Sequence, residues 1–282
     1  MAMIEQFLPL LLPLFFTGLL SGFLAGLLGV GGGIVIVPIL AYALEASGIH
    51  TAMPMHVAVA SSLAIIVPTS LISARTHLAL GNIDQQVIRL LGPPIFIGAA
   101  SGAFIAAYLD NQALKFIFGS LAVLIGISFL LRAVILRQGL PSFLPRSAIG
   151  VVIGTISSLV GIGGGSLSVP VLASCGWELR RAVGTSALLG LFIAIPGMIS
   201  FMIAGQGAGL SLSFTIGYVW APAVIIIAAA AFLSAPYGAR MSGRINKDAL
   251  RRVFAVFLIV VGVRLALSGY GGGGLSLSLI HI

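Results

Sequence analysis

The chain of 282 residues is 59% hydrophobic and only 7% charged, with a mean hydropathy of +1.20 and a formal net charge of +8. Soluble domains carry about 25% charged residues, so this composition cannot cover a water-facing surface and indicates an integral membrane protein. Its positive charges fall between apolar runs, which makes them a topology signal and excludes a nucleic-acid-binding reading.

Apolar runs able to cross ~30 Å of hydrocarbon recur along the chain without strand-like alternation, so an all-α polytopic membrane protein is expected instead of a barrel. In chain order the segments fall at roughly 7–28, 34–46, 55–73, 87–109, 114–131, 148–160, 166–175, 183–204, 215–236 and 250–267. The second and seventh are too short to span comfortably, so about eight full spans are expected, with two short helices that re-enter the bilayer. The amino terminus shows no basic region or small-residue cleavage site, so the first run is expected to be a permanent segment. The lone Cys175 excludes an internal disulfide.

Each short segment follows a glycine run. The first is Gly29-Val30-Gly31-Gly32-Gly33-Ile34-Val35-Ile36-Val37-Pro38, and the second is Gly161-Ile162-Gly163-Gly164-Gly165-Ser166-Leu167-Ser168-Val169-Pro170. Adjacent glycines weaken a helix by roughly 1 kcal/mol each, so each run predicts a break. In a membrane such a break persists only where it is buried in protein or lines a cavity. It also frees backbone N–H groups at the start of the next half-helix, which suits an anion. Gly31, Gly32, Gly33, Gly163, Gly164 and Gly165 are therefore candidate substrate-binding positions. Pro38 and Pro170 are expected where those half-helices bend or end.

The likeness between the halves extends further. Residues 22–40 match 154–172 without a gap, and Ala58-Val59-Ala60-Ser61-Ser62 matches Ala182-Val183-Gly184-Thr185-Ser186. This predicts a first repeat over 1–135, a basic linker at 136–147 and a second repeat over 148–268. The tail 269–282 matches nothing and is left out of the fold. With the amino terminus outside, twelve of the fourteen basic residues lie on the inner side, the others being Lys115 and Arg264. The positive-inside rule then assigns a multi-pass protein of the cytoplasmic membrane with both termini outside. Five segments per copy is an odd number, so the copies are inverted, as in secondary transporters with a site at the repeat interface.

Ser61, Ser62, Thr185 and Ser186 recur in both copies, and their hydroxyls are candidate donors to substrate oxygens near helix N-termini. His56, Arg75 and His77 are candidates for substrate or ion coupling: arginine offers a fork to oxyanions, and histidine titrates near neutrality. Asn82 and Asp84 are read as loop-structuring, Trp177 and Trp220 as packing or interfacial, and Cys175 as a small packing residue. No catalytic constellation, metal-ligand spacing or Walker-type lysine is visible, so neither an enzyme nor a cofactor is expected.

The paired G-x-G-G-G-x-x-x-V-P stretches, each followed by a helix opening on A-V-x-[ST]-S, resemble the TauE/SafE sulfite exporter family of anion permeases. The segment from Arg75 to Asp84 also resembles the family's loop after the third segment. Ala60-Ser61 departs from the Gly-Thr pattern that Gly184-Thr185 keeps. The resemblance implies transport of a small sulfur-containing anion such as sulfite or an organosulfonate. Alternating access by a secondary transporter is the expected mechanism, with a proton or sodium as the coupling ion. Alternatives are a passive anion channel and a membrane-embedded enzyme or partner that handles sulfur compounds.

Overall fold

The apolar runs fold as helices in the computed structural model, which describes residues 2–28, 32–47, 53–131, 139–140, 143–210, 212–241 and 247–270. The helices are α1 (Ala2–Leu28), α2 (Gly33–Ala46), α3 (Pro54–Ala79), α4 (Gln85–Tyr108), α5 (Asn111–Leu130), α6 (Phe143–Val160), α7 (Gly164–Ser174), α8 (Leu179–Ala204), α9 (Ala221–Met241) and α10 (Lys247–Tyr270). Among the described residues seven are long and apolar enough to cross a membrane, against about eight expected, because the apolar part of α6, Leu144–Val160, is shorter. Helix α2 has 14 residues and α7 only 11. At 1.5 Å per residue these two rise about 21 and 17 Å, short of a bilayer core. The protein is an all-α polytopic membrane protein.

The halves interlock along stripes of small residues, as bilayer helices do when lipid is as apolar as the partner. Gly98 and Gly102 of α4 lie against Val151 and Thr155 of α6, and Gly18 and Gly22 of α1 lie against Ile227 and Ala231 of α9. Gly119 and Gly126 of α5 meet Ala266 and Ile259 of α10. Exchanging the first five helices with the last five maps these pairings onto themselves: α1 with α9 becomes α6 with α4, and α5 with α10 is unchanged. Along α5 and α10 the contacts run in opposite directions, from Gln112 opposite Gly269 to Gly126 opposite Ile259. The matched pair α3 and α8 is also antiparallel, because Tyr218 touches Met53 at the start of α3 and Phe201 at the end of α8. Corresponding helices thus run oppositely, which is the inversion expected from an odd segment count.

Three expectations change. The ninth segment starts as a two-stranded hairpin, β1 (Thr215–Ile216) with β2 (Val219–Trp220), and becomes helical only at Ala221. Gly217, in a left-handed turn with φ +57°, reverses the chain there. Pro38 and Pro170 end nothing: α2 and α7 each run through their proline, which removes a single intrahelical bond. Finally, α3 and α8 begin at Pro54 and Leu179, about two turns before Ser61 and Thr185. Helix-end charge fades within the first turn, so those hydroxyls do not sit at helix N-termini.

Candidate functional site

The second break is built from two backbone devices. Helix α6 closes on Gly161, whose φ of +70° lets its own N–H reach the Ser158 carbonyl at 3.2 Å while the Ile162 N–H reaches the Ser157 carbonyl at 2.8 Å. This is a Schellman closure with glycine in its left-handed position. Gly163 is extended and brings no side chain to cap α7. In the first break the Gly32 carbonyl accepts from Val35 and Ile36, both at 3.0 Å. Gly29, Val30 and the candidate Gly31 lie outside the described residues, as do 136–138 and 141–142 of the linker and 271–282 of the tail. The first two tail residues, Gly269 and Tyr270, instead close α10, with Gly269 packed on α5.

The two breaks meet. A Cβ on Gly33 would stand 2.5 Å from the Gly161 carbonyl oxygen and 3.1 Å from Ser62 Oγ, and that hydroxyl donates to the same carbonyl at 2.8 Å. On the other side, a Cβ on Gly164 would stand 2.7 Å from the Ser186 carbonyl oxygen and 2.8 Å from the Gly190 nitrogen. Ile66 lies between the breaks, within 2.9 Å of a Cβ at Gly33 and 3.6 Å of one at Gly163. Ser61, Ser62, Thr185 and Ser186 are all 0% exposed. Among the described residues no Asp, Glu, Lys or Arg is buried, so the surroundings of the breaks are neutral.

Ser61 and Thr185 do matching work at opposite ends of the bundle. Ser61 Oγ accepts from the backbone N–H of Trp220, directly before α9, at 3.0 Å. Thr185 Oγ1 accepts from the backbone N–H of Asp84, directly before α4, at 2.9 Å. Each half therefore holds the entrance of the other half's fourth helix. Asp84 does more: Oδ1 caps α4 by accepting from Gln86 and Val87 at 3.0 and 3.1 Å, and Oδ2 accepts from the Trp177 indole at 3.0 Å. Partial burial alone would raise its carboxyl, but the Trp177 indole, the two amides and nearby Arg181 outweigh burial and hold it below its ordinary 3.8.

The hydroxyls sort by where they bond. Thr17, Thr69, Ser101, Ser128, Ser158, Ser174 and Ser234 each return to a carbonyl of their own helix. Ser157, Ser168 and Ser186, all at most 1% exposed, have no hydrogen-bond partner among the described residues. A buried polar group left so costs about 1–3 kcal/mol.

A family model for the sulfite exporter TauE/SafE matches residues 14–265 of this chain. The chain belongs to that family. It is 37% identical over 253 residues to a probable membrane transporter protein of Haemophilus influenzae, covering 89% of this chain and 96% of that one. It is 29% identical over 263 residues to a probable membrane transporter protein of Methanocaldococcus jannaschii, covering 92% and 96%. A Bacillus subtilis protein of the same description is 27% identical over 277 residues, covering 89% and 96%. No solved structure matches.

In this family member the remaining candidates do not converge. Arg75 is exposed and His77 half-buried in the last turns of α3, where His77 Nδ1 lies 3.5 Å from Asn82 Nδ2. At 1.5 Å per residue, His77 is about 22 Å along α3 from Ser62. His56 sits near the opposite end, fully buried, with Nε2 3.0 Å from the Leu109 carbonyl and its ring 5.1 Å from Tyr218. Sequence reasoning missed the Asp84–Trp177 bond and gave Ser157 and Ser168 no weight. The signal for Ser168 was present: the second motif reads Ser-Leu-Ser where the first reads Ile-Val-Ile. A groove of about 510 Å³ between α1 and α9, lined by Phe16, Phe23 and Leu233 among others, is almost wholly apolar and includes none of the candidate residues.

Proposed function

We propose that this membrane transporter moves a small sulfur-containing oxyanion across the cytoplasmic membrane by alternating access, with both termini outside. The observation that carries the reading is that two oppositely directed half-helices present their glycine starts to one buried, uncharged centre. Gly32, Gly33, Gly163, Gly164 and Gly165 would offer amides there, with Ser62 beside the first break and Ser186 beside the second, while Ser61 and Thr185 hold the two corners. Dipoles without full charges hold an anion loosely enough to release it, as carriers that cycle must. The Trp220 and Asp84 corners lie at opposite ends of the bundle. Rocking one repeat on the other would open one corner while the other stays docked.

The test is flux into proteoliposomes with labelled sulfite, thiosulfate, sulfoacetate and sulfate, run with and without pH and sodium gradients. Saturable uptake of one of them, accelerated by the same anion on the far side, is the expected result. Linear flux without such acceleration would show a channel, and no flux of any of the four would remove the reading. Gly164→Leu should abolish flux while the protein still inserts, since even a methyl there meets backbone.

A further inference from the structure

Although the two breaks share a backbone pattern, their side chains differ. In the register of the repeat, Ser157 corresponds to Ala25, Ser168 to Ile36 and Ser186 to Ser62. At the first break Ile36 Cδ1 lies 3.4 Å from where a Cβ on Gly32 would be, so a methyl covers that helix start. Ser62 is occupied by the Gly161 carbonyl. At the second break the matching position carries the Ser168 hydroxyl, one turn beyond Gly164 on the same face of α7. That face abuts Ser186 and Gly190 of α8, and Ser157 stands in the last turn of α6, immediately before the break. Among the described residues the three buried hydroxyls without a partner thus all belong to the second copy, around an eleven-residue helix whose N-terminus has no side-chain cap.

We infer that the oxyanion binds asymmetrically, at the N-terminus of α7, with the hydroxyls of Ser157, Ser168 and Ser186 donating to its oxygens. The first break serves as the packed pivot, and Ser61, Ser62 and Thr185 hold the halves together. This rests on the anion-transport reading above and narrows it to one copy. A site of neutral donors suits an anion with several acceptor oxygens; an apolar solute would leave the hydroxyls as they are.

The experiment uses the full-length protein with Ser157→Ala, Ser168→Ala and Ser186→Ala, singly and together, and Ile36→Val as the mirror control. Flux is measured with the same four labelled anions, and melting temperature in detergent is read with and without each. Losing one hydrogen bond to a charged ligand corresponds to roughly ten- to hundredfold. Each serine variant should therefore raise KM for the transported anion about tenfold or more, while Ile36→Val leaves it unchanged. Without anion the alanine variants should melt no lower than wild type, because no protein partner is lost, and the anion-induced rise in melting temperature should shrink. If wild type moves an anion and the triple variant keeps its KM, this inference fails and the transport reading stands. A fall in melting temperature without anion, or a change confined to sodium dependence, would equally overturn it by giving the hydroxyls to the fold or to a cation. If wild type moves none of the four anions, the transport reading itself fails and takes this inference with it.

Discussion

The corner at Asp84 and the corner at Trp220 solve one problem with different chemistry. Both place a backbone amide at the mouth of a fourth helix onto a hydroxyl of the other half, Thr185 in one case and Ser61 in the other. The Trp220 corner is sealed by apolar groups: Trp220 is fully buried and Tyr218 packs on Phe201 and His56. The Asp84 corner is half-buried and polar, with a carboxylate shared between a helix cap and the Trp177 indole. The departure of Ala60 from the Gly184 pattern has its reason here. A Cβ on Gly184 would stand 2.5 Å from the Asn82 carbonyl oxygen, whereas Ala60 already carries one, fully buried, beside the hydroxyl that receives Trp220. The lesson is that an inverted repeat keeps its hydrogen-bond logic while its two ends acquire different strengths and different sensitivities to water.

That contrast can be broken most severely at the glycine. Gly184→Ala should destabilise the protein by about 3 kcal/mol, the upper range for overpacking against backbone. Ala60→Gly should cost only about 1 kcal/mol of helix propensity, and thermal unfolding in detergent separates the two. Next in size, Ser61→Ala should cost about 2 kcal/mol because it strips a buried amide of this acceptor. Thr185→Val should cost nearer 1 kcal/mol, since water can reach the half-buried Asp84 amide; equal losses would erase the distinction between the corners. Trp177→Phe removes one indole donor from a partly exposed carboxylate and should cost about 1 kcal/mol or less, checked by chemical denaturation alongside Asp84→Asn.

The smallest effect is on pH. Asp84 is held below its ordinary value of 3.8, so its contribution is fully present above that value. It is lost as pH falls through the lowered one. An acid titration followed by Trp177 fluorescence should show loosening of the Asp84 corner below about pH 4, absent in Asp84→Asn. The Ser61–Trp220 contact should give no matching transition in Ser61→Ala comparisons, because it joins an uncharged hydroxyl to a backbone amide.

Much of the fold was readable in the residues. Hydrocarbon demands long apolar runs, so the runs announced the helices; adjacent glycines weaken a helix, so the motifs announced the starts of α2 and α7. Errors gathered where the cause was non-local. Nothing near Thr215 says that Gly217 will turn the chain before Ala221, because that turn is packed against the Met202 backbone. Arg75 and His77 looked equivalent to His56 as polar neighbours of the third segment, yet helix length alone separates them from the breaks.

By itself, the sequence determined the membrane class, the ten helices, the duplication and its inversion, since each follows from local composition and from counting segments. Only the tertiary structure decided which hydroxyls are used and which are left over. Ser61, Ser62, Thr185 and Ser186 look alike on the chain; three meet backbone groups of the other half, and the fourth meets none among the described residues. A hydrogen bond depends on distances of a few tenths of an ångström across helices far apart in sequence, and no spacing along the chain encodes them.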